Sequence, residues 1–201
     1  MSLVPAFELG LWNAWIFILP LIVLSAFVTK ILVKRGSGED SGLTDREKAV
    51  FAVHHLIFLA SCTYTIFLPL KLGTFCFYAS LLSYSLGMLV TFLGLLSFYA
   101  TPIDKPVTKG VYSISRNPMY VGNFFINVGI SMACLSWIFL LVTAAAIILE
   151  YDIVSGEERT CLKQYGDAYR EYVKRTPRWL GIKPNTNRHN TETRVVEQNF
   201  H

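Results

Sequence analysis

Four carboxylates and one short polar segment are the residues of this chain best suited to chemistry. Glu150, Asp152, Glu157 and Glu158 crowd the end of the last long apolar run. Carboxylates at membrane depth are costly and usually face an interior or a cavity. At i, i+7 and i+8, Glu150, Glu157 and Glu158 share one helical face. That face could hold a cationic or hydroxyl-rich ligand, or simply end a span at the aqueous boundary. The second feature is KGVYSISRNPMYVG, Lys109–Gly122, which turns directly from polar chain into an apolar helix. Asn117 is placed to cap that helix through its side-chain oxygen, and Pro118 takes the first helical position, where no N–H is needed. The uncapped N–H groups, the helix dipole and the charge of Arg116 make this point receptive to an anion. The same residues also fit an ordinary capped helix beside a positively charged loop. A molecule carrying both signs, lodged between the two features, would account for both.

Other candidates are weaker. His54-His55 sits inside an apolar run, where interhelical hydrogen bonding is the simpler role and haem or metal ligation the rarer one. Gly87 and Gly94, seven residues apart, permit close helix packing, with a groove for a flat ligand as the alternative. No nucleophile elbow, phosphate-binding loop or metal-spaced His/Cys cluster occurs. Cys62, Cys76, Cys134 and Cys161 show no spacing that indicates a disulfide framework or a zinc site.

The elements that must position these residues are membrane helices. Of 201 residues 53% are hydrophobic and 16% charged, with a mean hydropathy of +0.43. A soluble domain carries about a quarter charged residues. Apolar runs cover roughly 11–33, 49–70, 73–100 and 118–154. The last is about twice the ~20 residues one crossing needs, and Cys134-Leu135-Ser136-Trp137 suits a tight turn in its middle. The expected fold is therefore all-α and polytopic: about five transmembrane helices, the last two a hairpin. Sixteen of the eighteen Lys and Arg lie in three segments, 34–48, 101–117 and the chain after Val154. With five crossings all three fall on one side, which places the N-terminus outside and the C-terminus in the cytoplasm. The net charge of +4 thus reads as topology and not as nucleic-acid affinity. A cleaved signal peptide is not expected.

Three regions follow: a three-span N-terminal part (1–100), a C-terminal catalytic part (101–182) and a disordered tail (183–201). Gly36–Gly42 reads as a flexible connector. Glu157–Trp179 reads as a cytoplasmic amphipathic helix, with Leu162, Tyr165, Tyr169 and Tyr172 opposite Lys163, Asp167, Arg170 and Lys174. Such a helix could lie at the headgroups or fold over the mouth of a site.

From Asp104 to Arg178 the chain resembles the integral-membrane methyltransferases typified by isoprenylcysteine carboxyl methyltransferase and the phospholipid N-methyltransferases. The resemblance rests on an ordered set: Val107-Thr108-x-Gly110-Val111-Tyr112, Arg116-Asn117-Pro118-Met119-Tyr120-x-Gly122, a hairpin-length apolar run, Glu157-Glu158, Tyr165-Gly166, Tyr169, Tyr172 and Pro177-Arg178. It implies S-adenosyl-L-methionine as cofactor, a lipophilic methyl acceptor and residence in the bacterial inner membrane or the endoplasmic reticulum. By match, Asp104, Lys105, Pro106, Val107, Gly110, Tyr112, Asn117, Pro118, Met119, Tyr120 and Glu157 would line the cofactor pocket. Arg116, Glu158, Asp152 and Glu150 are the catalytic candidates, the carboxylates as bases toward an amine. The isoprenylcysteine enzymes typically have His where this chain has Asn117, and an arginine where it has Ile153. An acidic approach suits an amine over a carboxylate, so a phospholipid or other lipid amine is the expected acceptor. Prenylcysteine O-methylation is the alternative, and a non-enzymatic membrane subunit or transporter-like protein the rival from another class.

Overall fold

The apolar runs fold as helices. A computed structural model describes residues 9–34 and 44–181 of the chain. The connector at 36–42 and the tail from 183 lie outside the described residues. Among the described residues there are six α-helices and no strand: α1 (Ile18–Lys34), α2 (Asp45–Thr65), α3 (Phe75–Ala100), α4 (Pro118–Cys134), α5 (Trp137–Tyr165) and α6 (Asp167–Arg175). Short 3-10 turns at Ala14–Phe17 and Gly110–Ser113 precede α1 and α4.

Local chemistry sets the boundaries. Thr44 opens α2 with a capping box, its hydroxyl accepting from the Glu47 N–H while the Glu47 carboxylate accepts from the Thr44 N–H at 2.8 Å. The Thr74 hydroxyl accepts from the Phe77 N–H and starts α3. The turn expected at Cys134–Trp137 is present. Leu135 adopts a left-handed conformation, φ 50°, so that the Ser136 N–H returns to the Ser131 carbonyl at 3.1 Å. Ser136 then caps α5 by accepting from the Phe139 N–H at 3.2 Å.

Beyond Val154 the helix does not stop. α5 continues as one rod to Tyr165, and Gly166, at φ 53°, breaks the chain before α6. The amphipathic helix expected over 157–179 is thus two pieces: the end of α5 and the nine-residue α6. Loss of apolar character marks where a helix leaves hydrocarbon, not where hydrogen bonding ends. The apolar face of the second piece is packed inward. Tyr169 and Tyr172 bury themselves with Tyr112, flanked by Val107, Leu162 and Tyr165. Burial pushes the hydroxyls of Tyr169 and Tyr172 well above the ordinary value.

α3 and α4 form the tightest pair, because glycine lets their backbones touch. A Cβ on Gly87 would stand 2.6 Å from the Gly122 carbonyl oxygen and 2.7 Å from the Ile126 nitrogen. Gly129 likewise backs onto Tyr84 and Ser80, and the Ser83 hydroxyl donates to the Phe125 carbonyl at 2.8 Å. Gly94 faces side chains alone, Met119 at 3.0 Å and Pro118 at 3.9 Å. Both glycines serve packing, as their spacing predicts.

α3 and α5 are each long and apolar enough to cross a membrane, and Leu82, Leu89, Leu141 and Ile148 point outward from them. By the same measure α1 and α4, at 17 residues each, are short, and α2 carries Asp45, Arg46, Glu47 and Lys48 in its first turn. Contacts at the helix ends sort the chain into two poles. At one, the Lys71 N–H donates to the Ala133 carbonyl and the Ala14 N–H to the Leu68 carbonyl, both at 2.9 Å. At the other, Arg46 and Glu47 meet Asp152 and Arg159, and the start of α4 meets the end of α5. The site candidates cluster at this second pole.

Candidate functional site

The hairpin of α4 and α5 returns the two polar features to each other. The Tyr120 hydroxyl donates to Glu157 Oε1 at 2.9 Å. Asn117 Nδ2 donates to Glu158 Oε1 at 3.1 Å. Deeper by one turn of α4, Asn123 Nδ2 donates to Glu150 Oε1 at 2.8 Å. Three carboxylates of one α5 face thus meet Asn117, just before α4, and Tyr120 and Asn123 on it. They differ in access: Glu157 is exposed, whereas Glu150 is 2% exposed and Glu158 largely covered.

Asn117 does not act as the expected cap. Its side chain makes no capping hydrogen bond. It donates instead to Glu158 and, at 3.2 Å, to the Arg178 carbonyl. An amide can donate or accept, and the carboxylate across the hairpin claims the donor. The cap position at the start of α4 is therefore not filled by this side chain.

Glu158 is the hub of an ion cluster. Arg178 donates to its Oε2 through Nη2 at 2.7 Å and Nε at 3.1 Å, and Arg116 Nε lies 3.5 Å from Oε1. Arg116 is 8% exposed, and its Nε makes no hydrogen bond. Residues 176–178 form a strap across the start of α4. The Arg116 N–H donates to the Pro177 carbonyl at 2.9 Å, and the Ser115 hydroxyl to the Arg178 carbonyl at 3.1 Å. The Arg178 guanidinium also covers the Tyr151 ring, 5.1 Å from its centroid.

The remaining predicted residues separate by burial. Asp104, Lys105 and Gly110 are exposed, Pro106 and Val107 half-buried. The Tyr165 hydroxyl ties this loop to the end of α5 by donating to the Ile103 carbonyl at 3.2 Å. Tyr112 is buried in the tyrosine cluster, its carbonyl accepting from the Tyr172 hydroxyl at 2.7 Å. Pro118 is fully buried and Met119 lies against Gly94. Asp152 faces away from α4 and pairs with Arg46 of α2 at 3.2 Å. On the far side of α4, Pro118, Val121 and Phe125 wall an apolar cavity of about 170 Å³ with Leu86, Val90 and Leu180.

Four further residues hold the site: Ser115 and Asn123, which the sequence does not single out, Arg178, known from it only as part of a motif, and His54, expected in interhelical bonding, whose Nε2 lies 3.4 Å from Glu150 Oε1. Asn123 could have been found. Tyr120, Asn123 and Asn127 make a polar stripe at helical spacing through an apolar helix. Arg178 lies 20 residues from Glu158 beyond a helix break, and no local pattern joins them.

The site is assembled from the same ordered fragments that carry the resemblance, and a family profile spans most of them. The profile described as phospholipid methyltransferase matches residues 63–168, more than half of the chain. The chain belongs to the phospholipid methyltransferase family. No curated protein and no solved structure matches it significantly. Membership makes it a methyltransferase associated with membranes, in keeping with the outward apolar faces of α3 and α5. The matched span of this phospholipid methyltransferase relative holds both poles of the hairpin, with Asn117, Tyr120, Glu150, Glu157 and Glu158 inside it, while the strap at 176–178 lies beyond.

Proposed function

We propose that the chain transfers a methyl group from S-adenosylmethionine to the amine of a membrane lipid, at the pole where the start of α4 meets the end of α5. The observation that carries this reading is the pairing of Tyr120 and Asn117 with adjacent carboxylates 37 and 41 residues away. S-adenosylmethionine, when bound, supplies a methyl group activated by a sulfonium. The residues present fit it. Glu157 is exposed and can accept from its ammonium or ribose hydroxyls. The helix start, uncapped by Asn117, offers N–H groups to its carboxylate. Tyr120 offers an aromatic face to positive charge.

Asp104, Lys105, Pro106, Val107 and Gly110 would border the pocket from the loop that Tyr165 anchors, and Met119 from the first turn of α4. Tyr112 would support it from below, through the buried tyrosine cluster. Glu158 would position the helix start through Asn117 and Arg116 instead of moving protons, since three donors already hold it. Asp152 is tied to Arg46, which leaves Glu150 as the carboxylate best placed to take a proton from an ammonium. Orientation in a dry site supplies much of the rate of such an in-line transfer.

Five crossings, with the basic pole in the cytoplasm, would bring the acceptor's headgroup to this pole from the bilayer. The alternative acceptor, prenylcysteine, needs a free cation for its carboxylate, and Arg116 and Arg178 are both engaged with Glu158. The test is labelled methyl transfer by purified protein to extracted lipids and to a farnesylcysteine analogue. Label in N-methylated phosphatidylethanolamine supports the reading, and label confined to the farnesylcysteine analogue overturns the choice of acceptor.

A further inference from the structure

A buried carboxylate without a formal cation is expensive, and Glu150 is one. Among the described residues no Lys or Arg pairs with it. Its Oε1 is instead held by Asn123 Nδ2 from α4 at 2.8 Å and faced by His54 Nε2 from α2 at 3.4 Å. The side chains of Glu150 and His54 are 3% and 19% exposed. Asn123 cannot turn its amide around. Asn127 Nδ2 donates to Asn123 Oδ1 at 3.0 Å, so the amino group must face Glu150. The arrangement thus presents a carboxylate, fixed by one neutral donor, to an imidazole whose ring nitrogens can accept and give a proton.

The other charges around His54 are occupied or one-sided. On α5, Asp152 pairs with Arg46, and Glu157 with Tyr120 of α4. On α2, Glu47 pairs with Arg159, and the His55 ring, 6.2 Å from that of His54, sets its Nδ1 against the Phe51 carbonyl at 3.0 Å. The packed 3-10 turn Ala14–Phe17 carries no titratable group. Glu150 lies two turns below the exposed Glu157 on the same face, about 10 Å along the helix at 1.5 Å per residue. Tyr120 and Asn123 line the interval from α4.

We propose that Glu150 and His54 form the proton exit of the methyl-transfer site, through which the ammonium of a lipid amine is made nucleophilic. This rests on the lipid-amine reading. An N–H bond of the ammonium breaks and its proton forms an O–H bond on Glu150, then an N–H bond on Nε2 of His54. The electron pair left on nitrogen forms the new C–N bond as the C–S bond breaks, and sulfur keeps that bonding pair. One proton leaves for every methyl group added. His54 acts through Glu150 and is a relay, not a group that touches the acceptor.

The test compares two acceptors in vesicles: phosphatidylethanolamine, an ammonium near neutral pH, and an analogue bearing an alkoxyamine head, already neutral there. For His54→Gln, the rate ratio of the first acceptor to the second should fall about tenfold or more relative to wild type near pH 7, the scale of general acid–base catalysis. The deficit should shrink as the pH rises and free amine forms, while S-adenosylmethionine affinity is unchanged. Glu150→Gln, which keeps an acceptor for Asn123, should show the same discrimination and carries the test if His54→Gln fails to fold. A ratio within about twofold of wild type, with superimposable pH profiles, overturns the relay and leaves the lipid-amine reading standing. If wild-type protein binds S-adenosylmethionine yet methylates neither amine, reading and relay fall together.

Discussion

The Asn117 side chain donates to the Glu158 carboxylate at 3.1 Å, joining the residue just before α4 to the polar end of α5. That bond, rather than a cap, is what the asparagine contributes. Replacement by aspartate discriminates the two roles. A capping residue tolerates Asn→Asp, but here the new carboxylate would face Glu158. Asn117→Asp is expected to destabilise the protein more than Asn117→Ala, which itself leaves buried acceptors short of a donor at a cost of about 1–3 kcal/mol. Thermal unfolding in detergent decides; equal or greater stability for Asn117→Asp would restore the cap.

The Glu158 cluster predicts strong non-additivity. Glu158→Gln leaves the largely covered Arg178 and the buried Arg116 without their counter-charge. Removing one partner of a buried pair costs about 3–5 kcal/mol. Arg178→Met alone should be damaging too, whereas Glu158→Gln with Arg178→Met should cost clearly less than the sum. A double-mutant cycle with no coupling would show that these groups do not share one network.

Gly87 and Gly94, alike in sequence, should differ sharply when changed to alanine. Helix propensity favours either change by about 0.5–1 kcal/mol. At Gly94 the new methyl meets the flexible Met119 side chain at 3.0 Å, and the net effect should be near zero. At Gly87 it meets the backbone of α4 at 2.6 Å and 2.7 Å. Backbone cannot step aside, so Gly87→Ala should cost about 3 kcal/mol or prevent folding. Comparable stabilities would contradict the close α3–α4 contact.

Acid should loosen α2 from α5. A hydrogen bond from the Arg159 guanidinium, aided by those from Thr44, holds the Glu47 carboxyl down at about 2, against an ordinary 4.5. A carboxyl lowered in the folded state stabilises fully above its unfolded value and loses that contribution as pH falls through its folded value. The stabilisation is therefore present above about pH 4.5 and drains away toward pH 2. Wild type should lose more stability than Glu47→Gln across this window. Parallel acid-unfolding curves would show that the pair contributes nothing.

Much of this site was legible in the chain. The spacing of Glu150, Glu157 and Glu158 set them on one face, and the run from Pro118 was long enough to turn at Leu135 and bring that face back to Asn117. What stayed hidden was every choice made by a partner distant in sequence. Asn117 reads as a cap because the local rule sees only its own helix, while Glu158 is 41 residues away. α5 seemed to end near Val154 because charge begins there, although Glu157, Glu158 and Arg159 all stay helical while bonding to α4, the strap and α2. Gly166 belongs to the Tyr165-Gly166 motif, and its positive φ is what splits α5 from α6. His54 reads from sequence as an interhelical bonding residue, and its partner, Glu150, is set by how α2 lies against α5.

The most direct measurement is the affinity of purified protein for S-adenosylmethionine, by calorimetry, for wild type and Glu157→Gln. Glu157 is exposed and accepts from the Tyr120 hydroxyl of the opposite helix, an acceptor that Gln retains, so its replacement should leave thermal stability unchanged. The account predicts binding by wild type and a loss of about tenfold or more in Glu157→Gln, the weight of a charge-assisted hydrogen bond. Absence of binding by wild type, or equal affinity in the two proteins, would contradict it.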